Sequence, residues 1–256
     1  YSLIKCDTEK RPPSPNRTHS FLKDEYINSN RSKYTQPDNK QFKYDKPFIL
    51  ILGQKSGDSS IEFTNFPSPK NLIMGTTTPV SEDGEKALIS NKPNNDVNYI
   101  NTMLTALPII DRFGIPVLYK PHIIECADAN ATINNYIING PLKNTSIVTE
   151  VSIHDLFPKA KAVVTINSGA GFEALIHLKP VVTLGRVDYT PATFNCKTVE
   201  DIKKSKSFIE NPTISPNEIK RFLHAYISHT FPDYGELTYL KLVQYLLGKL
   251  NLNNAE

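Results

Sequence analysis

The run Asn167-Ser168-Gly169-Ala170-Gly171, with Glu173 just beyond it, is the part of this chain best equipped for chemistry. It separates a short apolar run, Ala162–Ile166, from a helical segment, and a second apolar run, Pro180–Leu184, follows. Strand, glycine turn, helix and strand in that order leave backbone N–H groups at a helix N-terminus, just past the end of a parallel strand. Phosphate oxygens of a nucleotide bind at such places. The amides of Ser168, Gly169, Ala170 and Gly171 are the expected phosphate donors. Glu173, one turn into the helix, is placed to accept hydrogen bonds from ribose hydroxyls. The plainer alternative is a tight strand-to-helix connection, with Ser168 as N-cap and glycines for clearance.

Three further groups sit at the ends of apolar runs. Lys120-Pro121-His122 follows Ile115–Tyr119. Proline holds Lys120 in extended geometry, so its ammonium is expected to project from the sheet end. A lysine beside a histidine suits a phosphate, a carboxylate or a leaving group; the alternative is a solvated lysine and a loop histidine. Gly53-Gln54-Lys55-Ser56-Gly57-Asp58-Ser59-Ser60 follows Phe48–Leu52, and Asp58 is either a nucleophile or general base, or an aspartate that shapes a turn. Arg186 follows the last apolar run. No His/Cys/Asp cluster has metal-ligand spacing, and there is no Walker motif, no Gly-x-Ser-x-Gly elbow and no Gly-x-Gly-x-x-Gly pyrophosphate fingerprint. His154 and Asp155 read as capping or surface groups, and His177 as structural.

Helices alternate with these apolar runs. Asp96 opens a helix whose apolar positions Val97, Ile100, Met103, Leu104 and Leu107 share one face, and Pro108 is expected to bend or end it. Asp128 or Asn130 caps a helix through Ile137, Ser146–Val151 reads as a strand, and Ser152 caps a short helix to Phe157. Tyr189–Lys197 reads as loop and Thr198 caps a helix through Lys204. Ser215-Pro216-Asn217-Glu218 starts another that runs to about His229, and Glu236–Leu250 is a final amphipathic helix. Alternating helices and strands that are apolar throughout predict an α/β fold, a Rossmann-like parallel sheet flanked by helices. In such sheets ligands bind at the carboxyl ends of the strands, where all four groups lie. Residues 1–46 are poor in apolar side chains and interrupted by Pro12-Pro13-Ser14-Pro15. A short helix capped by Thr18 is expected there, with the rest irregular and draped over a neighbouring surface. The division expected is residues 1–46 as an irregular segment, or a remnant of another half, and residues 47–256 as the Rossmann-like domain with its C-terminal helices.

Composition sets the outer bounds. The 256 residues are 39% hydrophobic and 21% charged, with net charge +3, so the chain can bury a core. It has no run of five like charges, and nucleic acid is not the natural partner. Three scattered cysteines give neither a disulfide framework nor a zinc set, which suits a reducing compartment. No apolar stretch approaches the ~18 residues of a membrane span. The chain starts at Tyr1 with no signal-like segment, as an excised piece of something longer would.

Three segments, ILGQKSGDSS (51–60), VLYKPH (117–122) and VVTINSGAGFEALIHLKPVVTLGRVDY (163–189), together resemble the capsule-polysaccharide synthesis family of retaining β-Kdo glycosyltransferases. That family's Gly-Gln-x-x-x-Asp-x-Ser pattern is matched by Gly53, Gln54, Asp58 and Ser60, and its Lys-Pro-His by Lys120, Pro121 and His122. Its strand–Asn-Ser–Gly–Glu-Ala-Leu–Lys-Pro-Val block is matched by Asn167, Ser168, Gly171, Glu173, Ala174, Leu175, Lys179, Pro180 and Val181. The resemblance implies a GT-B-type enzyme with CMP-Kdo as donor and without a metal or other cofactor. In it Asp58 attacks the anomeric carbon, supported by Gln54 and Ser60, while Lys120 and His122 face the donor phosphate or the Kdo carboxylate. Ser168 and Gly169 hold the CMP phosphate and Glu173 the ribose. A glycan or glycolipid acceptor and a cytoplasmic setting at the inner membrane face, with peripheral attachment to polysaccharide assembly machinery, are implied with it. Ile123 departs from the family's second proline, and His177-Leu178 from its His-Gly. A GT-B enzyme has two Rossmann-like halves, so the N-terminal half is reduced or missing here. A UDP-sugar or CDP-glycerol transferase on a similar sheet, or a nucleotide-sugar-binding module without catalysis, leaves many of the same marks.

Overall fold

A computed structural model describes residues 14–32, 35–37, 42–55, 59–66, 95–123 and 127–230 of the chain. Asp58, most of the long 53–94 segment and the helix expected at Glu236–Leu250 lie outside the described residues.

Six strands form one sheet: β1 (Phe48–Leu52), β2 (Val117–Lys120), β3 (Thr145–Ile147), β4 (Ala160–Thr165), β5 (Val181–Thr183) and β6 (Phe194–Asn195). Their spatial order is β3-β2-β1-β4-β5-β6, and every pairing is parallel. This is the Rossmann order, in line with the α/β reading. β1 lies at the centre and all five of its residues are buried, as its unbroken apolar run requires. β6 was not expected. Two residues are too few for any periodicity, and the strand exists because Phe194 and Asn195 pair with Val182 and Thr183.

Successive residues of each strand face opposite sides. Ile49, Ile51, Val117, Tyr119, Ala162, Val164 and Val182 share one core with α2 (Asn95–Ile110), α3 (Ala127–Asn139) and α6 (Val199–Glu210). Phe48, Leu50, Leu52, Leu118, Val163 and Val181 share the other with α1 (Pro15–Leu22), α4 (Ile153–Leu156), α5 (Gly169–Ile176) and α7 (Pro216–Thr230). Helices α2 and α3, after β1 and β2, thus cover one face, and α4 and α5, after β3 and β4, cover the other.

α2 runs two residues past Pro108 before a 3-10 turn, Asp111–Phe113, closed by Gly114 at φ 78°. Its fully buried seam is Tyr99, Met103, Ala106, Leu107 and Ile110, rotated from the expected face, so that Val97 sits to the side. α6 extends beyond Lys204 to Glu210, and its start carries the expected Thr198 cap, completed as a capping box by Asp201. α1 is capped by Ser14, with Pro15 in the first turn, and Thr18 is instead buried against α7, where its Oγ1 lies 2.8 Å from His224 Nδ1. α1 continues as a π-helical turn, Lys23–Asn28; Leu22 at the end of α1 and Tyr26 in the turn are both buried in the second core.

Candidate functional site

The strand order reverses between β1 and β4: β2 and β3 add on one side, β5 and β6 on the other. The connections leaving β1 and β4 turn to opposite faces, and the crevice between them is where open α/β sheets bind ligands.

The two loops are tied together by amides. Gln54 Nε2 donates to Asn167 Oδ1 at 2.7 Å and to Ser60 Oγ at 2.8 Å, and Asn167 N donates back to Gln54 Oε1 at 3.3 Å. Asn167 Nδ2 also donates to the Ser60 carbonyl. Gln54 and Ser60, six residues apart, and Asn167, more than 100 residues further on, therefore form one network across the crevice. Beneath it lies a buried pair that sequence reading missed: Tyr99 and Tyr119 hydroxyls 2.7 Å apart, with Gln54 N donating to Tyr99 Oη at 3.4 Å. The available signal was a tyrosine in each of two otherwise apolar faces. A Cβ at Gly53 would come 2.8 Å from Tyr119 Oη and 3.1 Å from His122 N, so glycine is what lets the β1 and β2 loops meet. Replacing Gln54 or Asn167 by leucine leaves the other amide's groups unsatisfied and should cost roughly 1–3 kcal/mol each. The double variant should cost clearly less than the sum, which urea unfolding of the four proteins measures; additive costs would mean that the network carries no coupling.

Ser168 is the N-cap of α5, with φ −71° and ψ 143°. Its Oγ accepts from Ala170 N at 3.3 Å and its carbonyl from Gly171 N at 3.0 Å, while Ser168 N donates to Thr165 Oγ1 at 3.3 Å. The cradle is therefore narrower than the spacing suggests: the Ala170 and Gly171 amides serve the cap itself. Gly169 is exposed at the first turn. The two glycines differ in kind. A Cβ at Gly171 would lie 2.3 Å from Tyr189 Oη, whereas at Gly169 it would meet nothing within 4 Å. Tyr189 Oη donates to the Ser168 carbonyl and so locks the loop from below.

Lys120 departs from expectation. It is 4% exposed and does not project into solvent. It sits opposite Leu52 in the sheet, and its Nζ donates to the Thr149 carbonyl beyond β3 at 2.8 Å. Burial lowers its pKa to about 8. The strand's last residue takes the face of Leu118, beside Leu52 of β1. His122 is half-buried just past Pro121. Arg186 is exposed, with its guanidinium 5.3 Å from the centroid of the Phe63 ring and its backbone N–H donating to the Phe63 carbonyl at 2.9 Å.

Glu173 is buried, 6% exposed, and accepts from Ser32 Oγ at 2.9 Å. Oε2 lies 3.7 Å from His154 Nε2. His154, expected as a capping or surface group, is buried too, with Nε2 2.8 Å from the Arg31 carbonyl and Nδ1 3.0 Å from His177 Nε2. Burial lowers both histidines, His177 to about 3, so both rings are neutral. A carbonyl only accepts, so His154 carries its proton on Nε2 and its Nδ1 accepts from His177. Cys196 is buried, and burial pushes its thiol up to about 12, which fits a packing role. Among the described residues no group of three His, Cys, Asp or Glu is placed to hold a metal ion, and no helix is long and apolar enough to cross a membrane.

No curated protein matches the chain. Among solved structures it is similar to the β-Kdo 2,4 transferase of Thermosulfurimonas dismutans KpsC, with 17% identity, a TM-score of 0.44, and coverage of 83% of this chain and 54% of that one. It is similar also to the β-Kdo 2,7 transferase of the same protein, with 18% identity, a TM-score of 0.41, and coverage of 86% and 62%. A glycosyltransferase from Rickettsia africae shares 10% identity at a TM-score of 0.44, with coverage of 98% and 55%. The chain thus spans little more than half the length of these structures. Residues 117–232 match the family model described as capsule polysaccharide biosynthesis protein. That stretch carries Lys120, the Asn167–Gly171 loop, Glu173 and Arg186.

Proposed function

We propose that the chain is the donor-binding half of a GT-B-type glycosyltransferase, which transfers Kdo or a related sugar from a CMP-activated donor to a surface polysaccharide or glycolipid. One observation supports this above the rest: the Gln54–Asn167–Ser60 network joins the loops after β1 and β4 at the point where strand order reverses. The residue patterns shared with the capsule family add to it. In this reading the CMP phosphate lies at Ser168 and Gly169, at the start of α5. Lys120, His122 and Arg186 supply cationic or N–H donors to the phosphate and to the sugar's carboxylate. Such groups stabilise charge on the leaving nucleotide as the bond from the anomeric carbon to the phosphate oxygen breaks. Glu173 accepts from the ribose. Asp58 forms the new bond to the anomeric carbon, and the acceptor hydroxyl then displaces it from the opposite face. Two inversions give net retention.

Donor class is tested by thermal melting with CMP, UMP and UDP at equal concentration. CMP is expected to raise the midpoint most. An equal or larger shift with UMP or UDP points to a UDP-sugar enzyme. Catalysis is tested by Asp58→Ala, which is expected to abolish transfer while CMP binding persists. Transfer at the wild-type rate would remove Asp58 from its role.

A further inference from the structure

Among the described residues, Asn30, Arg31, Ser32 and Gln36, after the π-helical turn, each make a hydrogen bond to an element that leaves the carboxyl end of β3 or β4. Asn30 takes a left-handed φ of 49°, which asparagine tolerates, and the Arg31 N–H closes on the Tyr26 carbonyl at 2.9 Å. The chain thereby turns over the helical face. Asn30 Oδ1 then accepts from Ser152 Oγ at 2.8 Å, and the Arg31 carbonyl from His154 Nε2 at 2.8 Å. Ser32 Oγ donates to Glu173 Oε1 at 2.9 Å, and Gln36 Oε1 accepts from Ile153 N at 3.2 Å. Leu22 and Tyr26 anchor what precedes the segment in the core. The segment itself is held by hydrogen bonds, with Arg31 and Thr35 exposed and Ser32 half-buried. Such contacts exchange with water or ligand groups far more readily than packed apolar ones do.

The bond between Ser32 and Glu173 is an aliphatic hydroxyl donating to a carboxylate. A ribose hydroxyl would make the same bond to the same oxygen. We infer that Asn30, Arg31 and Ser32, with Gln36, form a built-in occupant of the nucleotide's ribose site: an autoinhibitory strap in which Ser32 stands in for a sugar hydroxyl and leaves when a ribonucleotide enters. This rests on the assignment of Glu173 to the ribose under Proposed function. The neutral His154–His177 pair serves the strap as a fixed donor, because the proton on His154 Nε2 reaches Arg31 only while His154 Nδ1 accepts from His177. The strap lowers apparent affinity by the fraction of molecules in which it lies down, so loosening it tightens binding.

The experiment uses the full 256-residue chain. CMP is titrated calorimetrically against wild type, Ser32→Ala and Glu173→Gln, and amide hydrogen exchange is followed across residues 29–37 with and without CMP. Ser32→Ala is expected to bind CMP about tenfold more tightly, the equivalent of ~1.4 kcal/mol. It should bind 2′-deoxy-CMP with a smaller gain, and saturating CMP should speed exchange in the segment. An unchanged or weaker affinity for Ser32→Ala overturns the strap, as does slower exchange with CMP, the mark of a lid that closes on its ligand. Glu173→Gln separates the two readings. If it weakens CMP binding more than tenfold while Ser32→Ala has no effect, only the strap fails. If it leaves binding unaltered, or if neither wild type nor Ser32→Ala binds CMP, the ribose assignment fails and the strap with it.

Discussion

Lys120→Met is expected to stabilise the protein at pH 7 by up to about 3 kcal/mol and to abolish transfer. The first effect follows from burial. A pKa lowered from 10.5 to about 8 means that the folded state disfavours the ammonium by roughly 2.5 units, at about 1.36 kcal/mol each. Below pH 8 the group is charged in both the folded and the unfolded chain, so the full penalty is present. Between pH 8 and 10.5 the unfolded chain holds the proton and the folded one does not, so wild-type stability rises with pH and the penalty fades. Methionine has similar length and no charge, and its only debit is the hydrogen bond to the Thr149 carbonyl. The melting midpoint should rise by roughly 6–12 °C at pH 7, and wild type should close the gap as pH climbs past 8. The second effect follows from the role proposed for Lys120 toward the donor's charge. An anion placed beside Lys120 restores its full charge, so CMP affinity should be greatest below pH 8 and fall as pH rises through it, a dependence absent from the methionine variant. A variant less stable than wild type at every pH, or a CMP affinity flat across pH 8, would contradict this account of Lys120.

Gly171→Ala should be nearly as damaging to the site for a purely steric reason. The added methyl would sit 2.3 Å from Tyr189 Oη and 3.0 Å from Thr165 Cγ2. Tyr189 has to move, and with it goes the hydroxyl that holds the Ser168 carbonyl. Overpacking of this kind costs typically 1–3 kcal/mol, only partly offset by alanine's better helix propensity. A fall of several degrees in melting temperature and at least a tenfold loss of nucleotide affinity are expected. Tyr189→Phe in the same chain removes the nearest atom but leaves the ring carbon Cζ 3.0 Å away, so it should recover part of the stability and little of the affinity. Gly169→Ala is the control: the space there is open, and stability should stay within about 0.5 kcal/mol. Equal behaviour of the two glycine variants would refute the division of labour between them.

Among the expectations that matched were those resting on unbroken apolar runs and on local capping. Phe48–Leu52 reads as a doubly buried strand because its five residues are apolar without alternation, and it is the sheet's central strand. The N-cap serines at 152 and 168 and the capping threonine at 198 were legible because a hydroxyl N-cap satisfies donors two or three residues on, a local affair. β6 was not legible, since a two-residue strand is defined only by its neighbour. Glu173 was legible as a carboxylate one turn into the helix, but nothing near it in sequence announces Ser32, which is 141 residues away.

By itself, then, the order of residues determined the alternation of strand and helix, the strand ends at which polar groups accumulate, and the serine that opens α5. Each depends on interactions spanning a few residues, which spacing encodes. Folding decided the rest: which face of the sheet receives Lys120, which of two glycines must lack a side chain, that Gln54 and Asn167 join hands, and that Glu173 lies under the N-terminal segment. These depend on distances between atoms far apart in the chain, and one-residue differences in strand register or helix rotation, invisible in composition, reverse them.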